Sequence, residues 1–268
     1  MPARPGSIHQ GLDLAWLEAV SRHDPISHAY ALWDARQEPE RTRFVRWDAE
    51  DGNRSYLLLW YGDPNAPVAH WVGRTPSDLE LAREIPPNAQ VAIVPERVAW
   101  AVLQRRRANP PEPLLVLGWD PARPATAPSG SAVRRLDGDD RADVLGFARR
   151  YRDRLTAPYL TLDLGRDVAW GAFDGDRLVG IARAAVRLEG TWIVGGIFVA
   201  PSARRRGHGR DLTRAAAASA ASAGARAALY VRESNSAARA LYEELGFRQV
   251  DRKVWIDFAT GSPSPTDG

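Results

Sequence analysis

Residues 203–212 read ARRRGHGRDL. Four arginines and two glycines surround one histidine, directly after the run TWIVGGIFV (Thr191–Val199) and before an alanine-rich stretch. A nine-residue run with no ionisable side chain suits a central strand. The alanines suit a helix of small residues pressed against a sheet, expected to begin near Arg210. The order is therefore strand, tight loop, helix. At a helix start the first N–H groups have no internal partner and point outward with the positive end of the dipole. That geometry binds phosphate or pyrophosphate. Gly207 and Gly209 let backbone approach an anion without a Cβ in the way. Arg204, Arg205, Arg206 and Arg210 can add charge around it, some of them on a neighbouring 3′-phosphate. Two common phosphate loops are excluded. The P-loop needs Gly-Lys-Ser/Thr, but Gly209 is followed by Arg210 and Asp211; the dinucleotide fingerprint needs glycine at position 212, which is Leu212.

The rest of the chain bounds this reading. With 268 residues, 44% of them hydrophobic, it suits one large or two modest globular domains. The net charge is only +3, and Lys253 is the one lysine among 36 basic residues, so the arginine content does not describe a polyanion-binding surface. There is no cysteine, which excludes disulfides, thiolate metal sites and a cysteine nucleophile. The start, MPARPGSIHQ, has no apolar core for a signal peptide and no run approaches membrane-spanning length, so a cytoplasmic protein is expected. A Pro-, Ala-, Ser- and Gly-rich stretch marks a linker at 121–132. It separates an α/β domain at 1–120 from a second domain at 133–258, with a disordered tail at 259–268.

In the first domain, LAWLEAVSRH predicts a helix with Leu12, Ala15, Trp16 and Ala19 on one stripe. TRFVRW, RSYLLLWYG, VAHWVG, QVAIVP and EPLLVLGW predict strands; PSDLELAREI and ERVAWAVLQRRR predict helices. Six of the ten tryptophans lie from Trp33 to Trp119, a distribution suited to core and interface packing. In the second domain, DGDDRADVLGFARRYRDRL reads as a helix capped by Asp137, Asp139 and Asp140, which lack the pattern of a calcium loop. DVAWGAFDGDRLVGIARAAV reads as a hairpin around Asp174–Asp176. AALYV and RQVDRKVWIDF are strands, with a helix from Ala237 to Leu245 between them. No internal repeat of fixed period is present.

The spacing Arg204-x-x-Gly207-x-Gly209 after a strand resembles the acyl-CoA-binding motif of the GCN5-related N-acetyltransferase (GNAT) superfamily. A second stretch, VRESNSAARALYEELGF, resembles the family's other cofactor motif: an Asn, a short helix with a Tyr, then Gly-Phe. Independently of the family, Asn235 suits a helix cap, Ala238, Leu241, Tyr242 and Leu245 share one face, and Gly246 suits a helix stop. The resemblance covers about Ala132–Phe258 and implies a mixed, mostly antiparallel α/β sheet flanked by helices. The strand before the loop should splay from the next one. It further implies that the loop amides, His208 included, cradle the CoA pyrophosphate. Backbone at Phe198 and Val199 would pair with the pantetheine arm, Asn235 would lie beside it, and Tyr242 would face the thioester sulfur. The implied reaction is acetyl transfer from acetyl-CoA to an amine acceptor in a ternary complex. A neutral phenol within hydrogen-bond reach can protonate the departing thiolate, and no metal is needed. More loosely, DPISHAYALWDARQEPERTRFV resembles the amino-terminal half of two-domain bacterial GNAT proteins, a degenerate acetyltransferase-like fold without the cofactor motifs.

One departure matters. Many GNAT enzymes place a carboxylate on the strand before the loop, and TWIVGGIFV has none. Glu233 and Tyr159 are the substrate-side candidates, and the general base stays unassigned. This leaves a non-catalytic acyl-CoA-binding module as the alternative. His208 is expected to face solvent. Nucleic acid and membrane are not expected partners, and monomer and homodimer both stay open.

Overall fold

The computed structural model describes residues 6–50, 52–73, 78–119, 132–151, 162, 164 and 167–258. The chain divides into two compact units that are not sequential. One comprises Met1–Val116, Arg232–Ser234 and Asp251–Gly268; the other comprises Leu117–Val231 and Asn235–Val250. The expected linker and tail lie outside the described residues, apart from Ala132.

In the first unit β1 (Gly6–Gln10) precedes helices α1 (Leu14–His23) and α2 (Ala29–Gln37). Strands β2 (Thr42–Ala49), β3 (Arg54–Trp60) and β4 (Val68–Val72) form an antiparallel meander. A 3-10 turn (Asp78–Glu84), β5 (Val91–Pro95), α3 (Ala99–Leu103) and β6 (Glu112–Trp119) follow. β4 and β5 are parallel. The unit is completed from the far end of the chain, because Lys253–Asp257 of β12 (Phe247–Asp257) pair antiparallel with β5. Val254, Ile256 and Phe258 enter its core beside Leu57, Trp71 and Val94.

The second unit repeats the order. β7 (Ala132–Arg135) and α4 (Arg141–Arg150) lead to β8 (Val168–Asp174), β9 (Arg177–Leu188) and β10 (Thr191–Val199), again antiparallel. Then come α5 (His208–Ser222), β11 (Arg226–Arg232), parallel to β10, and α6 (Ser236–Glu244). Its strands lie in the order β7-β8-β9-β10-β11. The end of β6 is tied in by Trp119, whose indole donates to Leu245 O at 3.2 Å and whose carbonyl accepts from Arg226 Nε at 3.0 Å. A repeat without any sequence period is thus present in topology. Ala216, Ala217 and Ala220 are buried under α5, so the alanines do let the helix sit close to β8–β10.

Several expectations need correction. The buried stripe of α1 runs through Leu17 and Ser21, while Ala15 and Ala19 are exposed. Of PSDLELAREI, Asp78–Glu84 wind as a 3-10 helix and the first two residues lie outside the described residues; ERVAWAVLQRRR forms a 3-10 turn followed by only five α-helical residues. Such short segments offer few propagating bonds against the cost of nucleation. The strands β1 and β7 have no counterpart in the sequence reading. Trp47, Trp71 and Trp119 are core residues, but Trp100 is half exposed. The acidic cluster caps the 3-10 turn Gly138–Asp140 that leads into α4 and not α4 itself: Asp137 accepts from Asp139 N–H, and the Asp140 carboxylate accepts from Asp137 N–H at 2.9 Å.

Candidate functional site

β10 is registered with β9 along its length but with β11 only over Thr191–Ile193. β10 then continues to Val199 and β11 to Arg232 without a shared ladder. A bulge against β9 between Gly195 and Phe198, with Gly196 at φ 60°, bends the strand where the two part. The expected splay is present.

The loop begins where the bent strand ends. Pro201–Ala203 make a 3-10 turn, Arg204 is extended, and Arg205 lies at φ 62°, the only non-glycine at positive φ among the described residues. Gly207 follows at φ 87° as the residue before α5, which starts at His208, two residues earlier than expected. A side chain at that φ would be strained, and the space where a Cβ would sit is open, its nearest neighbour being Asp211 Oδ2 at 3.8 Å. No side chain caps the first turn of α5. The first N–H groups of such a helix have no intrahelical partner, the arrangement that can hold an anion. Asp211, fully buried in the first turn, is paired with Arg214 at 3.7 Å.

The arginines do not all converge on that space. Arg204 donates from Nε to Val199 O at 3.1 Å, and its guanidinium lies 5.7 Å from the Phe198 ring centre. Arg206 meets Asp174 at 3.4 Å and Arg210 meets Glu244 at 2.5 Å. Arg205 makes no ion pair with a described residue. His208 does not face solvent: it is 8% exposed, and its Nδ1 is buried without a hydrogen-bond partner. As the first residue of α5 its side chain turns back toward the protein.

Asn235 is the cap of α6, its Oδ1 accepting from Ala238 N–H at 3.1 Å. Tyr242 on α6 is buried, its ring 5.9 Å from that of Phe247, and burial pushes its phenol up to about 12. Glu233 sits in the first unit, ion-paired with Arg252 at 3.2 Å, so its carboxylate is already engaged. Tyr159 lies outside the described residues. Missed from sequence was an aromatic cluster: Phe147 of α4 and Tyr151, the residue just after it, pack against Phe198, with ring centres 5.9 and 5.2 Å away. Their i, i+4 spacing on a predicted helix was the available signal.

After β4, the buried Asp78 carboxylate receives both Arg97 Nη atoms, at 2.8 and 2.7 Å, and the Trp71 indole at 3.2 Å. Among the described residues no metal-ligand cluster is found, and no helix is long and apolar enough to cross a membrane.

The model of the acetyltransferase (GNAT) family matches residues 135–247. Those residues are a GNAT domain. No protein of curated function is similar to the chain in sequence. Among solved structures, the chain is similar to a Drosophila protein (16% identity, 96% of this chain and 100% of that one, TM-score 0.65). It also resembles a GCN5-related N-acetyltransferase from Sphaerobacter thermophilus (15%, 95% and 96%, 0.60). A third likeness is a tandem GNAT protein from the clavulanic acid biosynthesis pathway (17%, 97% and 100%, 0.57). At these identities the likeness is one of fold, and it extends over both units. The GNAT domain coincides with the unit that carries the splayed strands and the uncapped helix.

Proposed function

We propose that the chain is an acyl-CoA-dependent N-acyltransferase that takes acetyl-CoA as donor and an amine as acceptor, by direct transfer. The reading rests above all on one observation: the uncapped start of α5 opens beside Gly207 at the end of a strand that has parted from its parallel neighbour. Loop amides from Arg204 to Gly209 would hold the pyrophosphate, and the backbone of Phe198 and Val199 would face the pantetheine arm. Acetyl-CoA supplies an activated thioester. In the transfer the neutral amine nitrogen bonds to the acyl carbon, the carbon–sulfur bond breaks, the thiolate takes the proton of the Tyr242 hydroxyl, and the proton that the nitrogen sheds passes through water to restore the phenol. A phenol pushed up to about 12 stays neutral at assay pH and so retains that proton to give.

A second reading, a non-catalytic acyl-CoA-binding module, is favoured by the missing carboxylate on β10 and by the engagement of Glu233 with Arg252. Calorimetric titration with acetyl-CoA and with dephospho-CoA is the first test. Micromolar binding weakened by loss of the 3′-phosphate is expected; no binding to either removes the acyl-CoA reading. Release of CoA from acetyl-CoA stimulated by amines then separates transferase from binding module.

A further inference from the structure

A pocket of about 200 Å³ opens between α4 and the β8–β9 hairpin in the second unit. Its lining takes Ala200 and Ser202 from the turn that leads into the arginine–glycine loop but none of residues 203–210, β11 or α6, so the pocket borders the anion cradle while its charged rim is its own. Its floor is apolar, with Phe147, Leu178 and Ala200 all buried. Its rim is charged at both ends. Asp143 stands in the first turn of α4 and Arg150 in the last, with Arg177 at the start of β9. Neither Asp143 nor Arg150 forms an ion pair with a described residue. Arg177 leans on Asp174 only at 3.9 Å, with most of its side chain in solvent.

The spacing is specific. Asp143 and Arg150 are seven residues apart on one helix face, about 10 Å along the axis. A helical side chain leans toward the helix start, so the long Arg150 reaches back toward Asp143 and shortens the gap between the charges. A simple anion would meet Asp143, a simple amine would meet two arginines, and an uncharged ligand would use none of the three charges. A molecule with an ammonium at one end, a carboxylate at the other and methylenes between them satisfies the rim and the floor together.

We propose that this pocket is a second small-molecule site, for an ω-amino carboxylate, with its carboxylate at Arg150 and Arg177 and its ammonium at Asp143. The test is calorimetric titration of the full chain with ε-aminocaproate, hexanoate and hexylamine. ε-Aminocaproate should bind about tenfold more tightly than either singly charged analogue, as expected for two charge-assisted contacts in place of one. Asp143→Asn should reduce its affinity to that of hexanoate, and Arg150→Gln combined with Arg177→Gln to that of hexylamine; all three changes are at exposed positions and should leave the circular dichroism spectrum unchanged. The proposal is overturned if hexanoate or hexylamine binds as tightly as ε-aminocaproate, if Asp143→Asn leaves its affinity unchanged, or if none of the three binds.

Discussion

Tyr242 is the side chain in the candidate site whose chemistry burial visibly alters. Its hydroxyl is held neutral, which suits a proton donor and equally suits a core tyrosine against Phe247. Replacing it separates the two. Tyr242→Phe should leave acetyl-CoA affinity within about twofold while lowering kcat by on the order of a hundredfold, the usual worth of a general acid. Unchanged kcat in steady-state assays would reduce the tyrosine to packing. The tyrosine, the helix-capping Asn235 and the paired glycines were all legible, because each belongs to a short contiguous pattern. The fates of the loop arginines were not. Arg206 and Arg210 are answered by Asp174 and Glu244, 32 and 34 residues away, and no local pattern announces such partners. His208 misled for a related reason: a polar residue between two glycines reads as exposed, yet it begins a helix whose first turn packs inward.

At the scale of elements, the proposed function depends on how α5 begins. Gly207 supplies both the left-handed backbone and the open space before the helix. Gly207→Glu should abolish measurable acetyl-CoA binding in calorimetry, since it adds a side chain and a negative charge where the amides point. Retained affinity would remove the cradle from the mechanism. A stability cost of about 1 kcal/mol from the unfavourable φ is expected alongside, visible in denaturant melts. Elements with long periodic patterns, such as α5 and β9, were legible in sequence. The short β1 and β7 were not, because four or five residues carry too little alternation to distinguish a strand from a loop. The stripe of α1 was misread because small alanines fit either face, and packing by Leu17 decided which was buried.

At the scale of the whole molecule, the first unit depends on residues from the other end of the chain. A truncation after Val250 removes the β12 segment that pairs with β5 and takes Val254, Ile256 and Phe258 out of the core. Losing three buried apolar side chains costs several kcal/mol at about 2 kcal/mol each, so the truncated chain should lose the first unit's protection in hydrogen exchange. Persistent protection of Leu57 and Val94 amides would contradict this. The same unit carries two buried titratable groups of opposite tendency. Burial, reinforced by Glu38, raises the Asp34 carboxyl to about 8, so the folded chain keeps a proton that the unfolded chain releases, and stability falls as pH rises from about 4 to 8. Burial, with Lys253 and His28 nearby, lowers His70 to about 3, so stability falls as pH drops below about 6.5. Asp34→Asn should flatten the fall above pH 4 and gain a few kcal/mol near pH 8. Parallel pH profiles of the midpoint denaturant concentration for the two proteins would refute the assignment.

The sequence by itself determined the strand–loop–helix of residues 191–222, the glycines that open it and the helix that carries Asn235 and Tyr242. Each of these is specified by neighbours within a few turns of chain, where backbone sterics and hydrogen bonding act locally. Only the tertiary structure decided that β10 parts from β11 after Ile193, that β12 completes the first unit, that Trp71 and Arg97 converge on the buried Asp78, and that Asp143 and Arg150 flank one pocket. Those features depend on burial and charge pairing between segments far apart in the chain, and such free energies exist only once the segments have met.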